Sequence, residues 1–394
     1  VRVVVIGAGI GGLALAQGLR RAGVDVAVHD RDPEVSATGG YRLHLDARAC
    51  AALRRLLPPE LHLAVLASAA HPRTFRQFAL LDHRLRPLVV APQPRGEDAL
   101  LIGRVPLRRL LARGLDVRFG AEFTGHERQP DGTVLARFAD GSTDRGDLLV
   151  GADGVGSRVA TALAGRPTSR PLGVTGVAGR TPLTPAVRAL LPPVLLDGPG
   201  LALGPGAIAF LSVHDPGSGA AADAPGAVLE RGDLVWGLNL PTDRVPPGPD
   251  PAGRIAAGWP DPLRALVAAA DPAATAVFRF HAADPDADLT PWPSGPVTAL
   301  GDAVHAMPPT GGQAAATAIR DADLLVRELA GSGPPVAAVH AYERAMPAHA
   351  VDAVRESLAP LRWMRPLGVP GAHRAAAAAL RVAALPGRLR AAAG

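Results

Sequence analysis

An α/β fold is predicted for this chain of 394 residues: Rossmann-like, with an inserted, mostly antiparallel β-sheet domain and a C-terminal helical segment. Three observations predict it. The apolar run Val3 to Ile6 enters Gly7-Ala-Gly9-Ile-Gly11-Gly12, an amphipathic helix, a second apolar run and Asp30, which reads as strand, tight turn, helix and strand. Between about 166 and 285 prolines and glycines become dense and the apolar runs shorten, as in antiparallel strands. From Val297 an apolar strand again runs into a glycine turn and a helix.

In the opening unit Gly7 permits the turn, Gly9 lets a pyrophosphate approach the backbone at the helix N-terminus, Gly12 allows close helix–strand packing, and Asp30 can accept from a ribose. It is a cradle for FAD or NAD, and by itself leaves the chemistry open. Downstream, the alternation in Tyr41 to Leu45 predicts a strand with Arg42 and His44 on one face, followed by a helix over 47–57. Alternation through 75–90 predicts one or two strands of the second domain. Proline is tolerated at the first helical position, so Pro106 predicts a helix with Arg104 just before its start.

Asp131-Gly132 and Asp140-Gly141 split 116–149 into a β-meander ending in the strand Leu148 to Val150, and Gly151-Ala-Asp153-Gly then turns into a helix. Ala207 to Val213 and Leu234 to Leu240 read as strands, with 215–227 and 241–253 as loops. After Gly301-Asp302 a helix is expected over about 312–329, then alanine-rich helix. The division is 1–74, 98–165 and 286–345 for the first domain, 75–97 and 166–285 for the inserted sheet, and 346–394 for the C-terminal helices.

Composition narrows the function. The chain has no lysine, so all 41 basic residues are arginines, which excludes a Walker A loop and a pyridoxal-phosphate Schiff base. Net charge is only +5 and the arginines are scattered among acids, against a nucleic-acid footprint. Cys50 is the only cysteine, which leaves no disulfide, no CxxC pair and no thiolate metal site, and it reads as a small buried residue. The opening glycines lack a signal-peptide cleavage pattern, so a cytoplasmic protein is expected. The apolar stretch 375–385 contains Arg381 and is too short to span a bilayer, so a packing helix is expected.

Three segments, the glycine cradle with Asp30, Gly151-Ala-Asp153-Gly154, and Gly301-Asp-Ala-Val-His-Ala-Met-Pro-Pro-Thr-Gly-Gly-Gln313, match one family in order and spacing. Together they resemble the single-component aromatic-hydroxylase family of FAD-dependent monooxygenases, the para-hydroxybenzoate hydroxylase-like group. The resemblance implies a Rossmann-like FAD-binding domain and an inserted substrate domain. It also implies non-covalently bound FAD, NAD(P)H as transient co-substrate, and O2 activated as a flavin C4a-hydroperoxide. The substrate would be an aromatic or polyketide-like small molecule, most commonly hydroxylated, with epoxidation or Baeyer–Villiger insertion as variants, in bacterial secondary metabolism, by a monomer or homodimer.

Carried onto this sequence, the family's cofactor residues are Gly7, Gly9, Gly11 and Gly12 for the pyrophosphate, Asp30 and Arg31 for the adenosine, Arg104, and Asp153 for FAD and NAD(P)H. Gly301 and Asp302 fall to the ribitol, and Pro309, Gly311, Gly312, Gln313, Ala314 and Ala315 to the flavin side, where helix amides stabilise negative charge. Pro308 and Pro309 would wall the pocket, and His305 would pack beneath the flavin. Arg42 and Arg180 are candidates for a substrate anion or nicotinamide phosphates beside a solvated reading. His44 and His214 are candidate catalytic bases. Trp236 and Phe210 read as core.

The sequence departs from the family at Ala314 and Ala316, where a glycine and an asparagine are usual, which gives weight to a non-oxygenating flavoprotein or FAD-binding reductase of the same fold. Little attaches to Arg320. A flavin-dependent halogenase needs a lysine and a Trp-x-Trp-x-Ile-Pro segment, both missing. An NAD-dependent dehydrogenase would leave the second and third turns without a role.

Overall fold

The computed structural model describes the chain except residues 41, 71–74, 94–98, 216–224, 332, 368–370 and 392–394. β1 (Arg2–Ile6), α1 (Ile10–Arg21) and β2 (Asp25–Asp30) form the opening unit. β3 (Arg42–Leu45), α2 (Ala47–Leu56) and α3 (Pro59–Ala67) follow; β4 (Gln77–Asp82) and β5 (Pro87–Pro92) leave for a second sheet, and β6 (Leu100–Gly103) returns to pair with β3. Next come α4 (Arg104–Leu111), β7 (Val117–Phe119), β8 (Phe123–Arg128), β9 (Val134–Phe138), β10 (Thr143–Gly146), β11 (Leu148–Gly151) and α5 (Arg158–Ala164). The long excursion holds β12 (Arg170–Pro182), α6 (Pro185–Leu190), β13 (Gly200–Leu203), β14 (Ile208–His214), β15 (Asp233–Pro241), α7 (Pro251–Ala256), α8 (Asp261–Ala268) and β16 (Ala276–Ala282). The chain then adds β17 (Val297–Ala299), α9 (Asp302–His305), α10 (Ala314–Leu329), α11 (Pro335–Ala345), α12 (Pro347–Leu367) and α13 (Ala372–Ala391).

Five parallel strands make the first sheet, in the order β17-β11-β1-β2-β7. Its centre is buried on both faces, which is why β1 reads as a continuous apolar run. Val3 and Val5 join the core under the helices, whereas Val4 and Ile6 join a second core with Phe123, Ala136 and Phe138 of the meander β8–β9–β10. α1 packs Leu13, Ala14, Leu15 and Leu19 into the helical core, with Arg20 and Arg21 in its last turn, where the helix dipole favours them.

The second sheet has seven strands in the order β16-β12-β15-β14-β13-β4-β5, antiparallel throughout except where β13 meets β4. Alternation along β14 and β15 sorts their residues. Leu211, Val213, Leu234, Trp236 and Leu238 enter a core that also takes Leu263 and Leu266 of α8, and the Trp236 indole donates to Thr181 at 3.0 Å. The other face carries Phe210, Ser212, His214, Asp233 and Arg180. α12 and α13 cover the β4–β5 end of the sheet, where Leu361, Met364 and Ala377 pack with Leu88 and Arg381 pairs with Asp82.

The structure differs from the sequence reading at the starts of two helices and in 241–253, expected as a loop, where Thr242–Arg244 form a helical turn and α7 begins at Pro251, capped by Asp250. α4 begins at Arg104, with Gly103 as its cap, so Arg104 lies in the first turn and Pro106 is the third helical residue. The first four helical amides have no intrahelical partner, so a proline there costs no hydrogen bond. The helix expected from 312 begins at Ala314, because Gly312 takes φ +64° and Gln313 caps the helix. Tyr41, expected to open β3, lies outside the described residues.

At Gly12 a Cβ would lie 2.0 Å from the Gly7 carbonyl oxygen. Gly12→Ala must therefore displace backbone, and the expected loss of stability is about 3 kcal/mol, read by denaturant unfolding. Unchanged stability would contradict this packing of α1 on β1.

Candidate active site

The three glycine bends follow the C-terminal ends of three neighbouring parallel strands, β1, β11 and β17. That edge is where open α/β sheets bind ligands. Each bend is fastened to the next: the Ala152 amide donates to Ile6 O at 2.6 Å and the Leu300 amide to Gly151 O at 2.9 Å. A Cβ on Gly7 would lie 2.2 Å from the Ala152 carbonyl oxygen, and one on Gly11 2.8 Å from Leu300. Gly9 is different. Its φ of −70° suits any residue, and a Cβ there would meet only the Ala152 oxygen, at 4.0 Å. The protein's own packing does not require a glycine at that position, where the free amides of α1 begin.

Asp30 ends β2 with both oxygens engaged. Oδ1 accepts from the Asp32 amide at 2.7 Å, while Oδ2 accepts from the Ala8 amide and lies 3.2 Å from Arg108. Arg108, only 2% exposed, also donates to Ala8 O at 2.7 Å and to Asp32 at 2.8 Å. Sequence reasoning missed this arginine. It stands one helical turn after Arg104, a spacing that marks one face of α4. Arg31 is exposed beside it.

Arg104 donates Nε to Thr38 at 3.1 Å and faces Asp302 across the bends. Burial lowers the Arg104 guanidinium from its ordinary value, with Asp302 acting against it. Burial raises the Asp302 carboxyl, opposed by His305 and Arg104. Asp302 Oδ1 is buried with no hydrogen-bond partner among the described residues. An unsatisfied buried acceptor is costly, and ribitol hydroxyls are donors that match it. With the open Gly9 position, this atom makes the residues fit FAD.

The Asp153 carboxylate accepts from the Ser157 hydroxyl and from the Arg158 amide at 2.8 Å, so it caps the start of α5. Beyond Asp302, the buried Asp321 holds three groups: the Gly301 amide at 2.9 Å, His305 at 2.6 Å and His349 at 2.7 Å. Burial works against the charged forms, yet His305 is raised by Asp321, and Asp321 is held far below the usual carboxylate range by the two histidines. His305 is thus a buried partner of Asp321.

The flavin-side segment rests on α12. Thr310 donates to Ser357 O, Gln313 donates to Glu356, and a Cβ on Gly311 would lie 2.4 Å from Ser357 Oγ. Pro308 is buried and Pro309 exposed. The Ala314 methyl packs with Met307, Ala353, Val354 and Leu358, which explains why a methyl is accommodated there. Ala315 is half-buried and Ala316 buried at the start of α10.

A second charged group joins the β3–β6 pair to the antiparallel-sheet excursion. Arg42, its side chain 6% exposed, donates to Glu230 at 2.8 Å and to Asp233; Arg180 donates to Glu230 at 3.2 Å. The solvated reading of Arg42 is therefore corrected: it donates to Glu230 and Asp233 of the antiparallel-sheet excursion, and burial outweighs their attraction to lower its guanidinium. Arg42 Nε and His214 Nδ1 are buried without partners among the described residues. His214 is pushed down to about 2, first by burial and then by Arg42 and Arg180. A general base needs a pKa near the working pH, so His214 is corrected from candidate base to neutral imidazole. His44 is lowered by burial, stacks on Phe75 with ring centres 4.7 Å apart, and lies beside Gly312, whose Cβ would be 3.9 Å from its own. Among the described residues no His, Cys, Asp and Glu group could hold a metal ion, and no helix is long and apolar enough to cross a membrane.

A parallel-sheet dinucleotide crevice joined to a large antiparallel sheet defines the FAD-containing flavoprotein class. The FAD binding domain family matches residues 1–192 and 266–356. A dual O-methyltransferase/FAD-dependent monooxygenase of Phaeosphaeria nodorum is 31% identical over 81% of this chain and 39% of its own length. A 3-amino-4-hydroxybenzoate 2-monooxygenase of Streptomyces platensis is 32% identical over 87% of this chain and 83% of its own. The crystal structure of a protein assigned as an FAD-containing monooxygenase, from Photorhabdus luminescens, is similar with a TM-score of 0.78 and 31% identity, covering 92% of this chain and 98% of that one. The chain belongs to the FAD-binding-domain family of para-hydroxybenzoate hydroxylase-like flavoprotein monooxygenases. It spans 39% to 44% of the length of the dual-function fungal relatives it matches.

The His214 shift sets a pH dependence. The unfolded chain takes up this proton near the ordinary 6.5 and the folded chain only near 2, so between those values stability falls as pH falls. The slope is up to about 1.4 kcal/mol per pH unit. From pH 7 to pH 5, His214→Gln is expected to lose about 2 kcal/mol less than the parent, read by denaturant unfolding at each pH. Equal losses would show that His214 takes its proton in the folded state.

Proposed function

We propose that the chain is an NAD(P)H- and FAD-dependent monooxygenase that hydroxylates an aromatic or polyketide-like small molecule in secondary metabolism, epoxidation and Baeyer–Villiger insertion being variants of the same chemistry. The observation that carries this reading is Asp302 Oδ1, a buried acceptor without a donor where three glycine bends meet. The names of the relatives, among them an aminohydroxybenzoate monooxygenase, support the reaction class.

When bound, FAD would take two electrons from the reduced nicotinamide and activate O2, so that one oxygen atom enters the product and the other leaves as water. The chain's residues do the rest. Gly9 and the first amides of α1 receive the diphosphate, with Gly7, Gly11 and Gly12 allowing that backbone to close on its neighbours. Asp302 would accept from the ribitol, with the half-buried Arg104 supplying a positive charge near it. Asp30, its orientation fixed by Arg108, would accept from the adenosine ribose, and the exposed Arg31 would serve the adenosine end. Asp153 holds the second bend by capping α5. Gly311, Gly312 and Gln313 lead into α10, whose free first amides at Ala314 and Ala315 would stabilise negative charge on the flavin, as the helix dipole favours. Pro308 and Pro309 narrow water access.

The antiparallel sheet built from 77–92 and 170–282 is the substrate-binding unit, and its face with Phe210, Ser212, His214 and Asp233 is the wall against which the substrate lies. The Arg42, Arg180, Glu230 and Asp233 group balances its own charges, so it suits a substrate bearing hydroxyl or amino groups rather than a net anion. No histidine of the wall accepts a phenolic proton at neutral pH, so ring activation comes from the substrate's own substituents. His44 orients the substrate from beside Gly312.

Flavin-loaded protein supplied with NADH or NADPH, labelled O2 and a panel of phenols, aminohydroxybenzoates and polycyclic aromatics tests this. The expected result is substrate-stimulated NAD(P)H oxidation and a product with one labelled oxygen by mass spectrometry. Oxidation that yields only peroxide with every substrate, or none, would assign the chain to the non-oxygenating flavoproteins.

A further inference from the structure

α2, α10, α11 and α12 line an open surface cleft of about 390 Å³ whose lining includes Arg48, Arg55, Arg320, Asp323, Arg327 and His349. Its charge is unbalanced. The buried Asp323 accepts from Arg55 at 2.9 and 2.8 Å and lies 3.3 Å from Arg327, so two guanidinium groups share one carboxylate. Arg48 and Arg320 form no ion pair among the described residues. Arg320 is half-buried and burial lowers its guanidinium, with Asp46 and then Asp321 attracting it and the exposed Arg48 repelling it. His349 offers no compensation, since its Nε2 is taken by Asp321 at 2.7 Å. Several exposed arginines elsewhere have an acid of their own, as Arg118 has Asp140 and Arg137 has Glu127.

A half-buried guanidinium such as Arg320, with no carboxylate in ion-pair contact and the exposed Arg48 beside it, is stabilised by an anion able to accept several hydrogen bonds at once, and the planar forks match phosphate oxygens. A volume in the range of small-ligand pockets leaves room for more than a single ion. The cleft also connects to the cradle. His349 and the Gly301 amide are held by the same Asp321 carboxylate, one residue before Asp302. Along α10, Arg320 stands six residues after Ala314, ~9 Å at the rise of an α-helix. An extended dinucleotide is longer than that.

We propose that this cleft is a docking site for the phosphate groups of the reduced nicotinamide dinucleotide, with Arg48 and Arg320 as its unpaired anchors. The assignment of the dinucleotide rests on the reading of the chain as an NAD(P)H-dependent enzyme; the anion site itself does not. Arg55 and Arg327 give the cleft its remaining positive charge, and Asp323 keeps them in place.

The test compares the flavin-loaded parent with an Arg48→Gln, Arg320→Gln double variant and with an Arg118→Gln, Arg137→Gln control that removes equal charge from exposed positions of β7 and β9. Calorimetric titration with inorganic pyrophosphate reads the site, and KM for NADH and NADPH reads its use. In the double variant both the pyrophosphate affinity and the KM are expected to worsen at least about tenfold, with FAD content equal to the parent and the control unaffected. Pyrophosphate that fails to bind the parent, or binds the double variant equally well, overturns the anion site. Loss of pyrophosphate binding with an unchanged KM, or in a parent that oxidises neither dinucleotide, overturns the dinucleotide assignment, and the second case places the failure in the reading of the enzyme class.

Discussion

The approach of Gly7 to the carbonyl of Ala152 sets the geometry of the crevice. Parallel pairing of β1 with β11 and of β11 with β17 brings three strand ends level. A turn with any side chain at Gly7, which takes φ +109°, would collide with its neighbour. With that approach made, the amides of α1, the Asp153 bend and the Asp302 bend open onto one space. The later segments reach it only because β11 and β17 insert beside β1, although they lie more than a hundred residues away in the chain.

Buried carboxylates then hold the bends in position. Asp30 and Arg108 lock the first against α4, and Asp321 joins the third to His305 and to His349 of α12. Removing one member of such a buried pair leaves an uncompensated charge, a loss of several kcal/mol. These pairs therefore do for orientation what hydrophobic packing cannot. They also tie the C-terminal helices to the cradle, as does the contact of Thr310 and Gln313 with α12. The Arg42 group plays the corresponding part between the β3–β6 pair and the antiparallel sheet, where Glu230 and Asp233 meet an arginine from β3.

Much of this was legible in the sequence because glycine spacing and apolar runs are local signals. The opening strand, turn and helix, the Asp-Gly hairpins and the strands around Leu211 and Trp236 depend on residues near one another in the chain. What was not legible depends on partners far apart. Spacing from Arg104 places Arg108 on one face of α4, but its role comes from Asp30 and Asp32, which lie far away in the chain. His214 looked like a possible base until Arg42 and Arg180 were placed beside it, and Arg42 looked solvated until Glu230 met it from 188 residues away. The start of α4 was misplaced because Pro106 satisfies the rules for either of two positions in the first turn.

The central claim is that the bends form one flavin cradle, and Gly9 is where it can be tested apart from folding. Gly9→Ala leaves the protein's own contacts intact but adds a methyl where the diphosphate must approach. FAD titration of flavin-free parent and variant should show equal unfolding transitions before FAD is added, and an affinity for FAD weaker in the variant by at least about tenfold. Equal FAD affinity in the two proteins would contradict the account.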